Sequence, residues 1–398
     1  MSFKYDLCVV GGLGHVGLPL SITFASKGLK VCAYDISKET NKVVSGGKLP
    51  FIEHGAEDLL PKVLANGNLT LTLSPEEIAK SRNVIITIGT PTDLHLSPEP
   101  AVEQMVDSYM KYFADGQLVI LRSTVFPGTT EHLDRLFKRK GKKVDVAFCP
   151  ERIVQGYAMK ELVELPHIVS GTSESAAKRA AELFQMLNNN IVVMKPVEAE
   201  LSKLFANAWR YISFSIANQF FIITEDAGVD FYKVYEGMTH NYGRLQGMPR
   251  PGFASGPCLF KDTVHLSAFS ENNFHIGNAA IQVNEGLPSF VIEKIKKKVD
   301  LKSSKVGILG MAFKANIDDK RDSLGYKLLK LLKYDAKDVL CSDVYIKEDG
   351  FVDTDTMVKE CDVIILGVPH REYAGLKFRK NQLVVDVWNL YGKGSQLL

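Results

Sequence analysis

Apolar positions in this chain alternate between short unbroken runs and longer stretches at helical spacing, and that order predicts an α/β fold. The run Tyr5 to Val10 suits a strand buried on both faces. Gly12-Leu-Gly14-His-Val-Gly17 follows at once and leads into a helical pattern from Leu18 to Lys27. A second short run, Lys30 to Tyr34, ends at Asp35, 18 residues beyond Gly17. A dinucleotide-binding βαβ unit places its ribose-binding acid about 20 residues on, so strand, glycine turn, helix and acid all stand where that unit needs them. Asp35 would accept hydrogen bonds from ribose hydroxyls and repel a 2′-phosphate, which favours NAD over NADP.

The alternation continues through Asn83-VIITIG, Gln117-LVILRST, Val144-DVAFCP, Pro166-HIVSG and Ile191-VVM, each apolar in the middle and closed by Gly, Pro, Ser or Thr. Ligands of open α/β sheets lie beyond the carboxyl ends of the strands. Thr90, Pro91, Ser123, Thr124, Pro150 and Glu151 are therefore expected to border one crevice, with ordinary turn chemistry as the alternative for each.

From Val197 to Ala227 the pattern changes to a helix-favouring stretch without Gly or Pro, with Leu201, Leu204, Phe205, Ala208, Ile212, Ile216 and Phe220 at helical spacing. Unbroken, it would be about 45 Å long, which suits a dimer core or a helix buried within one chain. A Gly/Pro-rich passage, Gly247-MPRPGFASGPC-LFKD262, separates it from further helical sequence at 286–299, whose basic run Lys294 to Lys298 reads as a solvated face. From Lys305 the opening architecture recurs. VGILGMAFK resembles the first βα turn, VLCSD343 resembles VCAYD35, and CDVIILGVP resembles RNVIITIGTP, although Gly310-Met-Ala lacks the full glycine fingerprint. The fold expected is α/β: two Rossmann-like doubly wound domains, 1–195 and 301–398, joined by a central helical domain, 196–300, built on the long helix.

Composition narrows the function. With 48 Lys+Arg against 46 Asp+Glu, the formal charge of +2 offers no basic excess for nucleic acid and no acidic excess to keep the chain unfolded. A hydrophobic content of 45% is ordinary for a globular protein. No run reaches the ~18 apolar residues of a membrane span, and the chain runs directly into its first strand, so the mature protein is expected to begin near Met1 and to be cytoplasmic. The 9 histidines show no ligand spacing, so no metal is indicated. The 6 cysteines are scattered, without CxxC pairs, as in a reducing compartment.

Cys8, Cys32, Cys149, Cys341 and Cys361 fall in or beside apolar strands and read as packing residues, whereas Cys258 sits in a flexible loop just before Lys261 and Asp262. A nucleophilic thiol beside a nicotinamide fold suggests oxidation of an aldehyde to an acid, since a covalent adduct is needed before a second hydride can leave. Lys203 and Asn207, four residues apart, share one face of the long helix and could stabilise an oxyanion.

With these residues in place, the segments GLGHVGLPL with Asp35, IGTPTD, LRSTVFPGTT, CPERIVQG, AELSKLFANAWR, NYGRLQGMPRPGFASGPCLFKD and ILGMAFKANIDDKRDS together resemble the nucleotide-sugar 6-dehydrogenases, in family order and over nearly the whole chain. The resemblance implies oxidation of a sugar C6 alcohol to a carboxylate with two NAD reduced per turnover. It implies Cys258 as nucleophile, Lys203 and Asn207 as oxyanion stabilisers, Asp262 as the group that positions or activates water, and Thr124 and Glu151 as holders of water and the reacting hydroxyl. Gly12, Gly14, Gly17, Asp35, Thr90, Pro91, Thr124, Lys261 and Arg321 would contact the cofactor. Arg244, Phe253, Gly256 and Lys314 would contact the substrate, Arg244 reaching in from the partner of a homodimer.

The thiol loop ASGPCLFKD departs from relatives at Ser255, Pro257 and Phe260, and Gln155 stands where the UDP-glucose branch carries a second glutamate. The stretch that follows resembles the N-acetylhexosamine branch. UDP-N-acetyl-D-mannosamine is therefore the first expected substrate, then UDP-N-acetylglucosamine, then UDP-glucose. An inert nucleotide-sugar-binding protein and a two-electron 3-hydroxyacid dehydrogenase are the readings from other classes.

Overall fold

The computed structural model describes residues 3–90 and 101–394. The chain forms two compact units, Met1–Phe205 and Ala206–Leu398.

The first unit is built on eight strands: β1 (Tyr5–Val10), β2 (Val31–Tyr34), β3 (Leu69–Thr72), β4 (Ser81–Ile86), β5 (Leu118–Leu121), β6 (Asp145–Phe148), β7 (His167–Gly171) and β8 (Ile191–Met194). They lie in the order β3-β2-β1-β4-β5-β6-β7-β8. All pairs are parallel except β6 with β7, which is antiparallel. On β1, Cys8 stands opposite Cys32 on one side and Val84 on the other. The strand order reverses direction between β1 and β4, and this switch point is where such a sheet opens a ligand crevice. The pleat sends Leu7 and Val9 into one core layer and Cys8 and Val10 into the other. Helix Gly17–Ser26 is buried from Gly17 to Ala25, which explains its apolar run without amphipathic spacing.

The helix Pro196–Asp226 is 31 residues long, with Pro at its first position where a missing N–H costs nothing. The second unit continues from it through helices Phe231–Thr239, Leu259–Phe269 and His275–Lys296 to a four-stranded sheet. Its strands β9 (Lys305–Leu309), β10 (Asp338–Ser342), β11 (Val363–Leu366) and β12 (Leu383–Val385) are all parallel, in the order β10-β9-β11-β12. Phe221, Leu287, Val291 and Ile308 share one core, which joins the helices of this unit to its sheet. The fold is α/β with two Rossmann-like sheets and a central helical region.

One expectation fails here. The basic run is not wholly a solvated face: Lys294 is buried, its Nζ donating to the Glu225 carbonyl at 2.9 Å and pairing with Asp226 at 2.9 Å. A cation there satisfies carbonyls at the C-terminus of the long helix, so the helix end draws this lysine inward while Lys297 and Lys298 stay in water.

Candidate active site

Gly12, Gly14 and Gly17, in the turn after β1, do different jobs. A Cβ on Gly12 would lie 2.7 Å from the Val9 carbonyl and 2.9 Å from Ala33, and one on Gly17 would lie 2.1 Å from the Gly11 carbonyl. Those two are required by the turn and by close helix packing. A Cβ on Gly14 would meet only the Gly11 carbonyl, at 3.6 Å, so this glycine faces open space where a pyrophosphate must approach the backbone. The helix Gly17–Ser26 that follows has no side-chain cap and no acid in its first turn, leaving its N–H groups and positive end for an anion. Asp35 braces the turn, accepting from Leu13 N–H at 3.1 Å and Ser37 N–H at 3.1 Å, while remaining half-buried. These residues fit a dinucleotide with a free ribose. Thr90 is half-buried beyond β4, and Pro91 lies outside the described residues.

Beyond β5 and β6 the structure shows a charge pair that the sequence did not announce. Arg122 donates through Nε to Glu151 Oε2 at 2.7 Å and pairs through Nη2 at 2.5 Å, and its Nη1 donates to the Cys149 carbonyl at 3.1 Å. Glu151 Oε1 accepts from Arg152 N–H at 2.7 Å and Ile153 N–H at 2.9 Å. All four lone-pair positions of this carboxylate are thus filled by the protein. Glu53, fully buried, continues the same work by accepting from Gly156 N–H and Met159 N–H, both at 3.1 Å. Burial pushes its carboxyl above the ordinary value, against those backbone donors. The loop 151–157 and the start of the helix Ala158–Glu164 are therefore suspended from carboxylates. Gln155 on that loop reaches back to His15 Nδ1 in the glycine turn, at 3.0 Å.

Thr124, half-buried, follows Arg122 in the loop that enters helix Thr129–Arg139. Glu200 of the long helix caps that entry, accepting from Gly128 N–H at 2.6 Å and Thr130 N–H at 2.9 Å. Arg122, Glu53 and Glu200 are the site-shaping residues the sequence reading missed. Arg122 alone carried a signal, a charge at the end of an otherwise apolar strand.

In the second unit, the Gly/Pro-rich loop ends at Cys258, which occupies the N-cap position of helix Leu259–Phe269. Its thiol is exposed, whereas the other five cysteines are buried and unpaired. One turn on, Asp262 is fully buried and accepts from Asn207 Nδ2 at 2.6 Å through one oxygen. Its other oxygen makes no hydrogen bond and lies 3.9 Å from Lys261 Nζ. His265, a further turn along, is held below its usual value by burial and by the Lys261 charge, so it stays neutral. Lys203, half-buried, stands one helical turn before Asn207.

The thiol loop needs glycine where it turns. Gly256 has φ +108, and a Cβ there would meet the Phe313 ring at 2.5 Å. Its N–H donates to the Asp322 carbonyl at 3.3 Å, and Ser255 Oγ donates to the Phe313 carbonyl at 3.3 Å. At the start of the loop, Asn218 brackets Gly252, donating to its carbonyl at 3.0 Å and accepting its N–H at 2.8 Å. The segment 313–322 that supports this loop carries Lys314, half-buried, and Arg321. Arg321 is held by Asp319, at 2.9 Å from Nε, and lies within electrostatic reach of Cys258.

Phe253 and Arg244, two of the expected substrate contacts, differ in exposure. Phe253 is buried edge-on to Trp388, with ring centres 6.4 Å apart, so its side chain belongs to the core and only its backbone can face a ligand. Arg244 is exposed on the turn Gly243–Leu245, its Nη1 donating to the Tyr242 hydroxyl at 3.1 Å. Cys258, Asp262, Asn207, Lys261, Gly256 and Arg321 are brought together in one unit, while Gly12, Gly14, Gly17 and Asp35 lie in the other.

Residues 6–188 match the NAD binding domain of the UDP-glucose/GDP-mannose dehydrogenase family, 197–286 its central domain and 307–393 its UDP binding domain. The chain is 30% identical to UDP-N-acetyl-D-mannosamine dehydrogenase of Pyrococcus horikoshii, over 95% of this chain and 94% of that protein. The solved structure of UDP-D-ManNAc dehydrogenase from Pyrococcus horikoshii superposes with a TM-score of 0.86 at 30% identity, covering 93% of this chain and 91% of that one. A UDP-glucose dehydrogenase from Pyrobaculum islandicum superposes equally well, with a TM-score of 0.86 at 28% identity over 96% and 94% of the two chains. With a glycine turn shaped for NAD, a separate unit carrying a UDP-binding domain, and family matches through all three segments, the chain belongs to the UDP-glucose/GDP-mannose dehydrogenase family of NAD-dependent oxidoreductases.

Proposed function

We propose that the protein oxidises the C6 alcohol of a UDP-sugar to the carboxylate, with UDP-N-acetyl-D-mannosamine as substrate. The observation that carries the chemistry is the exposed Cys258 thiol one helical turn from the buried Asp262–Asn207 pair. The names of the relatives support the choice of sugar. The division into segments 1–195, 196–300 and 301–398 assigns the steps: cofactor, chemistry and UDP.

NAD+, when bound by the glycine turn and Asp35, supplies the hydride acceptor for both oxidations. C6 first loses a hydride and its hydroxyl a proton, giving the aldehyde. The Cys258 thiolate then adds to the carbonyl carbon, a C–S bond forming as the carbonyl electron pair moves to oxygen. Lys203 and Asn207 stabilise that oxyanion, and protonation gives a thiohemiacetal. Loss of a second hydride and the hydroxyl proton leaves a thioester. Water adds to the thioester with Asp262 orienting it, the C–S bond breaks, and the thiolate is restored. The sum is RCH2OH + H2O + 2 NAD+ → RCOO− + 2 NADH + 3 H+. Glu151, whose lone pairs are taken, shapes the strand-end loop beside which Thr124 holds water and the reacting hydroxyl.

The test is a panel of UDP-sugars with NADH counted per sugar consumed. Two NADH per UDP-N-acetyl-D-mannosamine, with the highest kcat/KM in the panel, is the expected result. One NADH would mean a simple two-electron dehydrogenase, none a binding protein, and a faster UDP-N-acetylglucosamine or UDP-glucose would reassign the sugar.

The reading includes a homodimer. Phe205, Trp209, Ile216, Phe220 and Ile223 recur at spacings of three, four and seven along the long helix and are exposed, Trp209 at 69% and Ile223 at 54%. A contiguous apolar stripe of this kind marks an interface. Trp209→Asp is expected to turn a dimer into a monomer by sedimentation velocity at micromolar concentration; an unchanged dimer would place the interface elsewhere. Among the described residues no helix is long and apolar enough to cross a membrane, and six unpaired cysteines suit the cytoplasm.

A further inference from the structure

The two Rossmann-like sheets each carry an aspartate just beyond their second strand, and the two are used differently. Asp35 keeps acceptor capacity for a ligand, taking one backbone N–H on each oxygen. Asp343, following β10, is buried and has none left. Its Oδ2 accepts from Met311 N–H at 2.6 Å and Ala312 N–H at 3.1 Å and faces His370 Nε2 at 3.2 Å; its Oδ1 accepts from Tyr345 N–H at 2.7 Å and Ile346 N–H at 3.0 Å.

His370 is fully buried, and its Nδ1 accepts from Asn316 N–H at 2.9 Å. A backbone N–H can only donate, so Nδ1 holds a lone pair and the ring proton sits on Nε2, toward the carboxylate. Asn316 is held in the left-handed region at φ +61, and its side-chain oxygen accepts from Arg371 N–H at 3.1 Å. The segment 311–316 is therefore tied at its start to Asp343 and at its end to His370, which are bonded to each other. Lys314 lies between the ties.

We propose that His370 and Asp343 form a positioning pair that sets Lys314 for the UDP moiety of the substrate. In the C-terminal unit the aspartate that would otherwise serve a ribose has been turned onto the protein's own backbone, and the histidine completes the clamp. The inference rests on the reading of Lys314 as a substrate contact.

The experiment is calorimetric titration of the full-length protein with UDP and, separately, with NAD, accompanied by steady-state kinetics. His370→Asn places an amide oxygen close to the Nδ1 position and is expected to hold UDP affinity within about twofold. His370→Gln extends to the Nε2 position and loses the Asn316 acceptor. It is expected to weaken UDP roughly five- to tenfold, the value of one hydrogen bond, and to raise the KM for sugar with kcat and NAD affinity unchanged. Asp343→Asn disturbs the other tie and serves where His370→Gln does not fold, with the same expected loss. Lys314→Ala runs in parallel. UDP binding weakened by Lys314→Ala but not by His370→Gln or Asp343→Asn overturns the positioning pair alone; UDP binding untouched by Lys314→Ala overturns the reading of Lys314 and the pair with it. Equal losses of UDP and NAD would show a general structural role and also overturn it.

Discussion

Cys258→Ser should reduce uronate formation by at least about three orders of magnitude, because removing a covalent nucleophile that acts as one unit with its partners removes the whole pathway. Serine at the head of helix Leu259–Phe269 is a good N-cap, so the substitution preserves the local fold and isolates the chemistry. A hydroxyl in place of the thiol is a far weaker nucleophile at neutral pH, and without the adduct the second hydride has no hemiacetal carbon to leave. The loop geometry also predicts that UDP and NAD bind the variant as they bind the parent, since Gly256, Phe313 and Asp322 hold the loop through backbone and ring contacts that do not involve sulfur. Uronate production and NADH release measured on the same preparation decide the matter. Parental turnover by Cys258→Ser would sink the thioester route, and the oxidation would then have to proceed through a hydrated aldehyde.

The second large effect is one of stability. Arg122→Met should destabilise the protein by about 3–5 kcal/mol, because it leaves Glu151 as a buried carboxylate without its cation. The Arg122 side chain is 1% exposed and that of Glu151 11%, so neither can turn to water. The methionine stem can still lie against Phe184, over which the guanidinium now stacks at 4.8 Å, so lost packing is a minor part of the cost. The double variant Arg122→Met/Glu151→Gln, which removes the orphaned charge, should recover most of the loss. Urea unfolding of the two variants and the parent measures both. A single variant as stable as the parent would mean that the pair is not the brace of the strand-end loops, and that Glu151 is freer to exchange protons than its four filled lone pairs imply.

The catalytic loop shows how much of a site can be read along a chain. Cys258 stood out because its neighbours are glycine and proline, and Asn207 because it stands one helical turn from Lys203, local relations that sequence spacing preserves, whereas the role of Asp262 was implied by the family resemblance. The glycine turn was legible for the same reason, whereas the separate duties of Gly12, Gly14 and Gly17 emerged only in the folded turn. Phe253 shows the opposite. The family resemblance implied a ligand contact there, but whether an aromatic ring faces a crevice or Trp388 depends on a residue more than a hundred positions away.

The chain's periodicities determined two Rossmann-like sheets and a long helix, since strand, turn and helix preferences act over a few residues and each segment carries its own pattern. Only the tertiary structure decided which charges belong to chemistry and which to architecture. Arg122 meets Glu151 because β5 and β6 end side by side, and Glu53 meets Gly156 and Met159, and Asp343 meets His370, because folding brings loops from distant parts of the chain together. A carboxylate reads the same in sequence whether its oxygens are free for a substrate or filled by backbone N–H groups. Burial and hydrogen-bond saturation, which exist only once the sheet has formed, separate Asp35 from Asp343.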